Sequence, residues 1–226
     1  GDTSVNLFRD KGLLPDALFN YMCLLGWAPG NDLEFFDKDF AISKFDLKKV
    51  LPNPAIFDTT KLLWMNGQYI RKVEKDKFIK LAIHKINTQI NRELFDNEIE
   101  RLNKILPSVQ ERLETLNDLT PQIHFLLDEP FTINQQDWNS VDSDEGQKYL
   151  FTIREKFMQL DNFSLENIEN LMRKELEIME IKPKIGFQIT RVSITGKKIS
   201  PPLFESIYAL GKNATLARLA ETIENL

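Results

Sequence analysis

Residues 14–26 read LPDALFNYMCLLG, and this stretch shows how the chain is built. Its apolar side chains recur at three- and four-residue steps, the spacing that places them on one face of an α-helix. They are Leu14, Leu18, Tyr21 and Leu25. Pro15 is tolerated in a first helical turn, because the N–H that it lacks would have no partner there. Gly26 is expected to end this helix as its C-cap.

The same periodicity continues along the chain and predicts a mainly α-helical protein. One helix is expected to begin with Asp58 or Thr59 as its N-cap, since a short polar side chain can accept a hydrogen bond from a free N–H of the first turn. Ser164 is a second candidate of this kind. The clearest further helices are expected at residues 93–106, 108–117, 145–160 and 164–179.

Residues 187–195 (FQITRVSIT) have a different pattern. Apolar and polar residues alternate, and several residues are β-branched, which is typical of a half-buried β-strand. Taken alone, this pattern predicts a strand.

The charge of the chain is unevenly distributed around a net value of -5. Residues 61–90 carry seven Lys or Arg against two acidic residues, and residues 181–226 carry seven against three. Two basic windows on an otherwise acidic protein suit a polyanion that is held at separate points. Charge alone leaves an equally good alternative, in which these residues form the solvated faces of helices.

Motifs for catalysis and metal binding are missing from the sequence. It contains no CxxC, HExxH, GxGxxG or P-loop, and its only two histidines, His84 and His124, are far apart. We interpret both as structural or surface residues, and the single cysteine, Cys23, as a structural thiol in a reducing compartment. No stretch approaches the ~20 apolar residues of a membrane span, and no signal peptide is visible. A cytoplasmic location is therefore expected.

Several short motifs carry a resemblance to a known family. The motifs are GDTSV (1–5), DKGLLPDAL (10–18), LLGW (24–27), FDTTKLLWMNGQYIR (57–71), RVSITG (191–196), PPLF (201–204) and LGK (210–212). In these motifs the chain resembles the bacterial-type, class I glutamyl-tRNA synthetases. The resemblance is strong over the first 71 residues, weak in the middle, and returns near the end.

The resemblance implies three helical parts. They are a stem-contact domain at residues 1–73 and two α-helical anticodon-binding subdomains at residues 74–130 and 131–226. It also implies a helix at residues 187–195, against the local pattern.

The resemblance further implies a partner and a missing activity. In that family an ATP-binding catalytic domain precedes the first motif, and its signature sequences are absent here. We therefore expect this chain alone to be inactive and to need no cofactor, whereas the whole ligase would use ATP and Mg²⁺. Its expected partner is glutamate tRNA, with neither DNA nor a membrane as a partner, and it is expected to be a monomer. The alternative is a free-standing helical scaffold for protein partners.

Six residues are candidates for contacts with the tRNA. By resemblance, Arg112 matches an arginine that reads the third anticodon base, and Arg191, Ser200 and Leu203 match positions near the first and second bases. Without the resemblance, we would interpret Arg112 as part of an i,i+3 or i,i+4 ion pair on a helix.

Lys61 and Arg71 are candidates for phosphate contacts, with solvated surface charges as the alternative. The run Leu63-Trp64-Met65 could stack on bases, but we prefer packing into the core, because such a run on an apolar helix usually faces inward.

Overall fold

The computed structural model describes residues 4–30, 32–50 and 56–225. Over these residues the regular secondary structure is helical, and no β-strand is present. This confirms the prediction of a mainly α-helical fold. None of the helices in the described ranges is long and apolar enough to cross a membrane.

The chain divides into two compact units. One comprises residues 1–90 and 110–119, and the other comprises residues 91–109 and 120–226. The finer division into three parts, with boundaries at 73/74 and 130/131, stays a prediction.

The helices follow one another in chain order. They are α1 (Val5–Asp10), α2 (Pro15–Leu24), α3 (Lys38–Lys44), α4 (Thr59–Lys72), α5 (Lys75–Ile90), α6 (Asp96–Gln110), α7 (Leu119–Ile123), α8 (Gln135–Asn139), α9 (Asp144–Gln159), α10 (Leu165–Ile178), α11 (Pro183–Thr195), α12 (Leu203–Leu210) and α13 (Lys212–Glu224). Short 3-10 helices lie at Leu47–Lys49, Leu116–Asp118 and His124–Leu126.

Two predicted helix starts are confirmed, and one predicted helix end is wrong. The Asp58 carboxylate accepts a hydrogen bond from the Lys61 N–H at 3.1 Å and caps α4. Ser164 caps α10 in the same way. The C-cap of α2 is Leu25, not Gly26, and its ordinary right-handed conformation (φ -66°) leaves no position that requires a glycine.

The first unit is built on the packing of α2 against α4. Its core contains Leu13, Tyr21, Leu62 and Met65. The Tyr21 hydroxyl accepts from the Asp58 N–H at 2.7 Å and donates to the Asp58 carbonyl at 2.9 Å. The first turn of α4 is therefore fixed to α2 by both apolar burial and hydrogen bonding.

The second unit is centred on α9, which packs against α10, α11 and α13. Tyr149 of α9 is fully buried, and its hydroxyl donates to the Met172 carbonyl of α10 at 3.0 Å. Gly186 allows α11 to come close, because a Cβ there would lie only 2.4 Å from Leu176 Cδ2. α11 therefore packs closely against α10 at Gly186. α11 carries Arg191, one of the candidate site residues.

The strand that the local pattern predicts at 187–195 is wrong, and the helix that the resemblance implied is present as α11. Most of its side chains are buried, including polar ones, so packing outweighs the local preference for a strand. Its hydroxyl groups bond back to carbonyls four residues earlier: Thr190 to Gly186 at 2.7 Å and Ser193 to Ile189 at 2.9 Å. Those bonds satisfy the buried hydroxyls within the helix itself.

The separate helix that we predicted at 108–117 is also wrong. α6 starts at Asp96, continues through Pro107 and ends at Gln110, and a turn follows it. Thr115 and Asp118 form a capping box that starts a 3-10 helix instead. The segment that carries Arg112 is therefore a loop.

Candidate nucleic-acid interface

Arg112 lies in the loop after α6, and its side chain is exposed. Among the described residues, its guanidinium has no hydrogen-bond or ion-pair partner. The alternative of an ion pair on a helix is wrong, because residue 112 is not helical and no carboxylate in the described ranges pairs with it. Its donors are free to bind a ligand.

The Arg112 loop, which we define as residues 110–118, is held by hydrogen bonds to α4. The Asn66 Nδ2 donates to the Glu114 carbonyl at 2.6 Å, and its Oδ1 accepts from the Leu14 N–H at 2.8 Å. The Gln110 Nε2 donates to the carbonyls of Ile70 and Val73 at 2.8 and 2.9 Å. Because Asn66 and Gln110 are both buried, these bonds are shielded from water and fix the loop firmly.

Close packing supports the same loop. Leu113 is fully buried beside the exposed Arg112. A Cβ on Gly67 would lie 2.9 Å from the Leu113 carbonyl oxygen, so the loop backbone approaches α4 at a point where only glycine fits without movement. The loop therefore presents one exposed arginine from a rigid backbone.

The two predicted phosphate contacts, Lys61 and Arg71, both have partners within the protein. Lys61 Nζ lies 2.6 Å from Glu34 Oε1 in a half-exposed ion pair. Arg71 Nη1 donates to the Glu111 carbonyl at 3.3 Å, next to Arg112. Arg71 thus helps to hold the Arg112 loop.

The residues of the run Leu63-Trp64-Met65 do not all follow the predicted core packing. Met65 is fully buried, as core packing predicts, whereas Trp64 is 42% exposed. The Trp64 ring contacts the Phe35 ring, with centroids 5.5 Å apart. Core packing thus holds for Met65 but not for Trp64.

The second unit brings together the other three predicted residues. Arg191 of α11 donates through Nη1 to Ser200 Oγ at 2.7 Å and to the Pro201 carbonyl at 2.5 Å. Leu203, the first residue of α12, is only 4% exposed. Arg191 therefore fixes the connection between α11 and α12, and the Leu203 side chain anchors its far end in the core.

A small pocket of about 80 Å³ adjoins this connection. Its lining includes Lys197, Ile199, Ser200, His124 and Arg218. His124 Nε2 lies 2.8 Å from Glu129 Oε2, so this histidine takes part in a partly exposed polar pair.

Arg218 is a structural cation that the sequence did not distinguish from the others in its basic window. Its Nη1 and Nη2 donate to the carbonyls of Ile194 and Phe125 at 2.5 and 2.6 Å, and its guanidinium stacks on Phe131. Burial lowers its pKa to about 10, from an ordinary value of 12.5. Ile194 and Phe125, which supply these carbonyls, are 24 and 93 residues away from Arg218 in the chain, so no local sequence pattern indicates the contacts.

The basic windows therefore hold two kinds of cation. In the second window, Lys212 Nζ donates to the carbonyls of Met158 and Leu160, and it serves the fold as Arg218 does. In the first window, Lys75, Lys77 and Lys80 are exposed on α5. The exposed lysines of α5 are available to a polyanion as they stand, whereas Lys212 and Arg218 are already bonded to backbone carbonyls.

Comparison with known proteins agrees with this arrangement of helices. Residues 77–223 match the family model described as an anticodon binding domain. Residues 2–64 match the model of the catalytic domain of class I tRNA synthetases (E and Q). No group of His, Cys, Asp or Glu in the described ranges has the arrangement of a metal site.

Individual relatives are glutamate–tRNA ligases. Glutamate–tRNA ligase 2 of Caldicellulosiruptor saccharolyticus is 32% identical over 99% of this chain and 46% of its own length. Glutamate–tRNA ligase 1 of Caldanaerobacter subterraneus subsp. tengcongensis is 35% identical over 99% of this chain and 47% of its own length.

A solved structure has the same fold. The crystal structure of a glutamate tRNA ligase from Elizabethkingia meningosepticum, in complex with its amino acid, matches with a TM-score of 0.84 at 26% identity. The match covers 97% of this chain and 43% of that chain. The chain thus spans about half the length of the relatives that it matches. It belongs to the glutamyl-tRNA synthetase family and contains the anticodon binding domain of that family.

Proposed function

We propose that this chain is the tRNA-recognition part of a glutamate–tRNA ligase and that it binds glutamate tRNA at the inner corner and the anticodon loop. The observation that carries the proposal is Arg112, an exposed arginine without a partner among the described residues, on a loop fixed by α4. The names of the relatives support glutamate tRNA as the substrate. The proposal includes a monomeric chain in the cytoplasm, and ATP-dependent ligation by the whole ligase.

Arg112 is proposed to read the third anticodon base and to favour cytosine over guanine. Bases of a single-stranded loop can be splayed out and read on their Watson–Crick edges. Cytosine presents two acceptors on that edge, O2 and N3, whereas guanine turns two donors, N1–H and N2–H, toward the same space. Arginine has donors only and keeps its charge, so it pairs with cytosine and meets guanine donor to donor.

The fixed loop supports this role in energetic terms. Fixing the backbone of one mobile loop residue on binding costs about 1–2 kcal/mol of conformational entropy. The backbone on both sides of Arg112 is already held through the Glu111 and Glu114 carbonyls, so much of that ordering precedes binding. More of the contact energy then remains for discrimination between bases.

Arg191, Ser200 and Leu203 are proposed to act at the first and second anticodon bases. Arg191 is a positioning residue in this proposal, because its Nη1 already bonds to the α11–α12 connection. Ser200 is partly exposed, and its hydroxyl donates to the Pro201 carbonyl at 3.2 Å and accepts from Arg191, so its second lone pair can accept a hydrogen bond from a base. Leu203 shapes the connection from the core.

Phosphate contacts are proposed for Lys61, Arg71 and the exposed lysines of α5. Lys61 and Arg71 are partly exposed, and surface ion pairs such as Lys61–Glu34 are worth about 0–1 kcal/mol, so a phosphate can replace the carboxylate. Lys75, Lys77 and Lys80 extend the same basic window along α5. Phosphate binding releases counterions, so affinity should fall steeply as salt rises.

The test is a titration of the 226-residue chain with glutamate tRNA and with an unrelated tRNA at two salt concentrations. We expect tighter binding of glutamate tRNA and a roughly tenfold or larger loss of affinity between 50 and 200 mM salt, as several phosphate contacts require. Equal affinity for the two tRNAs, or no binding, would reject the proposal. No observation on the described residues favours the alternative of a protein-binding scaffold.

A further inference from the structure

Ile199 is the most exposed large apolar side chain in the described part of the second unit. It is 90% exposed, and the next in that unit, Ile178, is 62% exposed. Ile199 lies in the connection between α11 and α12, one residue before Ser200 and directly after Lys197 and Lys198. An isoleucine that contributes nothing to the core therefore projects from a basic segment.

The backbone on both sides of Ile199 is firmly held. Before it, the Lys198 N–H donates to Asp137 Oδ2 at 3.0 Å, and the Thr195 hydroxyl donates to the Lys197 carbonyl at 3.0 Å. After it, Arg191 bonds to Ser200 Oγ at 2.7 Å. Ile199 is thus displayed by a fixed loop, just as Arg112 is, and its exposure is not the result of a loose chain.

The surroundings of Ile199 suit a nucleobase. Ile199 lines the pocket of about 80 Å³, together with Lys197, Ser200 and His124. The Lys197 ammonium is exposed and has no hydrogen-bond or ion-pair partner among the described residues. An apolar surface for the face of a base, a cation for its phosphate and polar groups for its edge are the elements of single-strand recognition.

We infer that Ile199 is a contact for an unpaired nucleobase of the anticodon loop of the bound tRNA, with the face of the base on the isoleucine and its edge toward the pocket. This inference rests on the proposed tRNA binding and adds a residue that the sequence motifs did not include. A protein partner is the less suitable occupant, because a single isoleucine between lysines offers little contiguous apolar area.

The inference is tested with Ile199→Ala in the 226-residue chain. Loss of one base contact should weaken binding of glutamate tRNA about three- to tenfold. Ile199→Leu should bind within about twofold of the wild type, because a similar apolar surface is kept. Both variants should melt at the wild-type temperature, since the side chain is exposed.

Ile178→Ala is the matched control. Ile178 is also an exposed isoleucine of the second unit, but its neighbours Glu177 and Glu180 are acidic and would repel phosphate. Binding should therefore remain at the wild-type level.

A second arm uses glutamate tRNAs in which the nucleotides of the anticodon loop are made abasic one at a time. At the contacted position, the effect of Ile199→Ala should vanish, because the base is already absent. If Ile199→Ala weakens binding equally on every abasic tRNA, Ile199 does not contact a base. Wild-type affinity of Ile199→Ala, with Arg112→Gln still impaired, would overturn this inference alone. Absence of tRNA binding by the wild type would overturn the proposed function itself.

Discussion

Arg112 and Arg191 are both arginines of the candidate interface, yet the structure uses them in opposite ways. Arg112 projects from a loop whose backbone is held by other residues, and its own donors have no partner among the described residues. Arg191 donates hydrogen bonds to Ser200 Oγ and the Pro201 carbonyl and thereby holds the connection between α11 and α12. A motif match alone therefore does not distinguish a residue whose donors are free for a base from a residue that positions the backbone of the site.

The largest expected effect on stability concerns a third arginine, Arg92, which forms an ion pair with a buried carboxylate. Arg92 forms two hydrogen bonds with Glu98, whose side chain is completely buried. Chiefly through these bonds from Arg92, the pKa of Glu98 is lowered from 4.5 to about 2. Because the folded-state pKa lies below the unfolded one, this stabilisation is complete above pH 4.5 and is lost as the pH falls toward 2.

Glu98→Gln should therefore lower the free energy of unfolding by about 3 kcal/mol at pH 7. Urea unfolding at pH 7 and pH 3 checks this, and the gap between wild type and variant should shrink at pH 3. Glu100→Gln on the same helix is the control, because its carboxylate is 72% exposed and pairs with Lys104 on the surface, so a change within about 0.5 kcal/mol is expected. A pH-independent gap would contradict the assigned pKa.

The next effect separates the two interface arginines directly. Arg191→Ala removes the donor to the Ser200 hydroxyl and leaves the Pro201 carbonyl with only the 3.2 Å hydrogen bond from Ser200 Oγ, which should cost about 2 kcal/mol of unfolding free energy. Arg112→Ala removes no contact within the described residues and should change stability by less than about 0.5 kcal/mol. Equal losses of unfolding free energy in urea would contradict the assignment of Arg112 as an arginine without partners and Arg191 as an arginine that stabilises the fold.

A smaller loss of stability than that of Arg191→Ala concerns the support of the Arg112 loop. Gly67→Ala places a Cβ 2.9 Å from the Leu113 carbonyl oxygen, and the loop backbone must move; this cost outweighs the gain of roughly 1 kcal/mol in helix propensity and leaves a net loss of about 1 kcal/mol. Gly26→Ala is the control in the same unit, because no atom lies within 4 Å of a Cβ there. Thermal unfolding of both variants measures the difference, and a neutral Gly67→Ala would show that the loop is not tightly packed on α4.

The helical architecture was predictable from the sequence because its signals are local. Apolar periodicity and polar caps such as Asp58 and Ser164 act within one or two turns, and the structure confirms them. The pattern at 187–195 failed because α11 is buried on most sides, and burial depends on helices distant in sequence.

The Arg112 loop shows the same limit at the candidate site. The residues that hold it, Asn66, Gly67 and Arg71, are about 40 or more residues away in sequence. Periodicity cannot register such contacts, and it suggested a helix at 108–117. The resemblance supplied the identity of Arg112, and only the three-dimensional packing showed that the side chain is exposed and its backbone fixed.

In the proposed function Arg112 reads the third anticodon base, whereas Arg191 positions the connection between α11 and α12. The most direct measurement is the ratio of dissociation constants for two glutamate tRNAs that differ only by cytosine or guanine at that base, for the wild type, Arg112→Gln and Arg191→Ala. We predict a wild-type preference for cytosine of about ten- to hundredfold, as a good bidentate contact provides. Arg112→Gln should abolish the preference, because an amide has both a donor and an acceptor. Arg191→Ala should weaken binding of both tRNAs and keep the ratio. An unchanged ratio in Arg112→Gln, or a lost ratio in Arg191→Ala, would contradict the account.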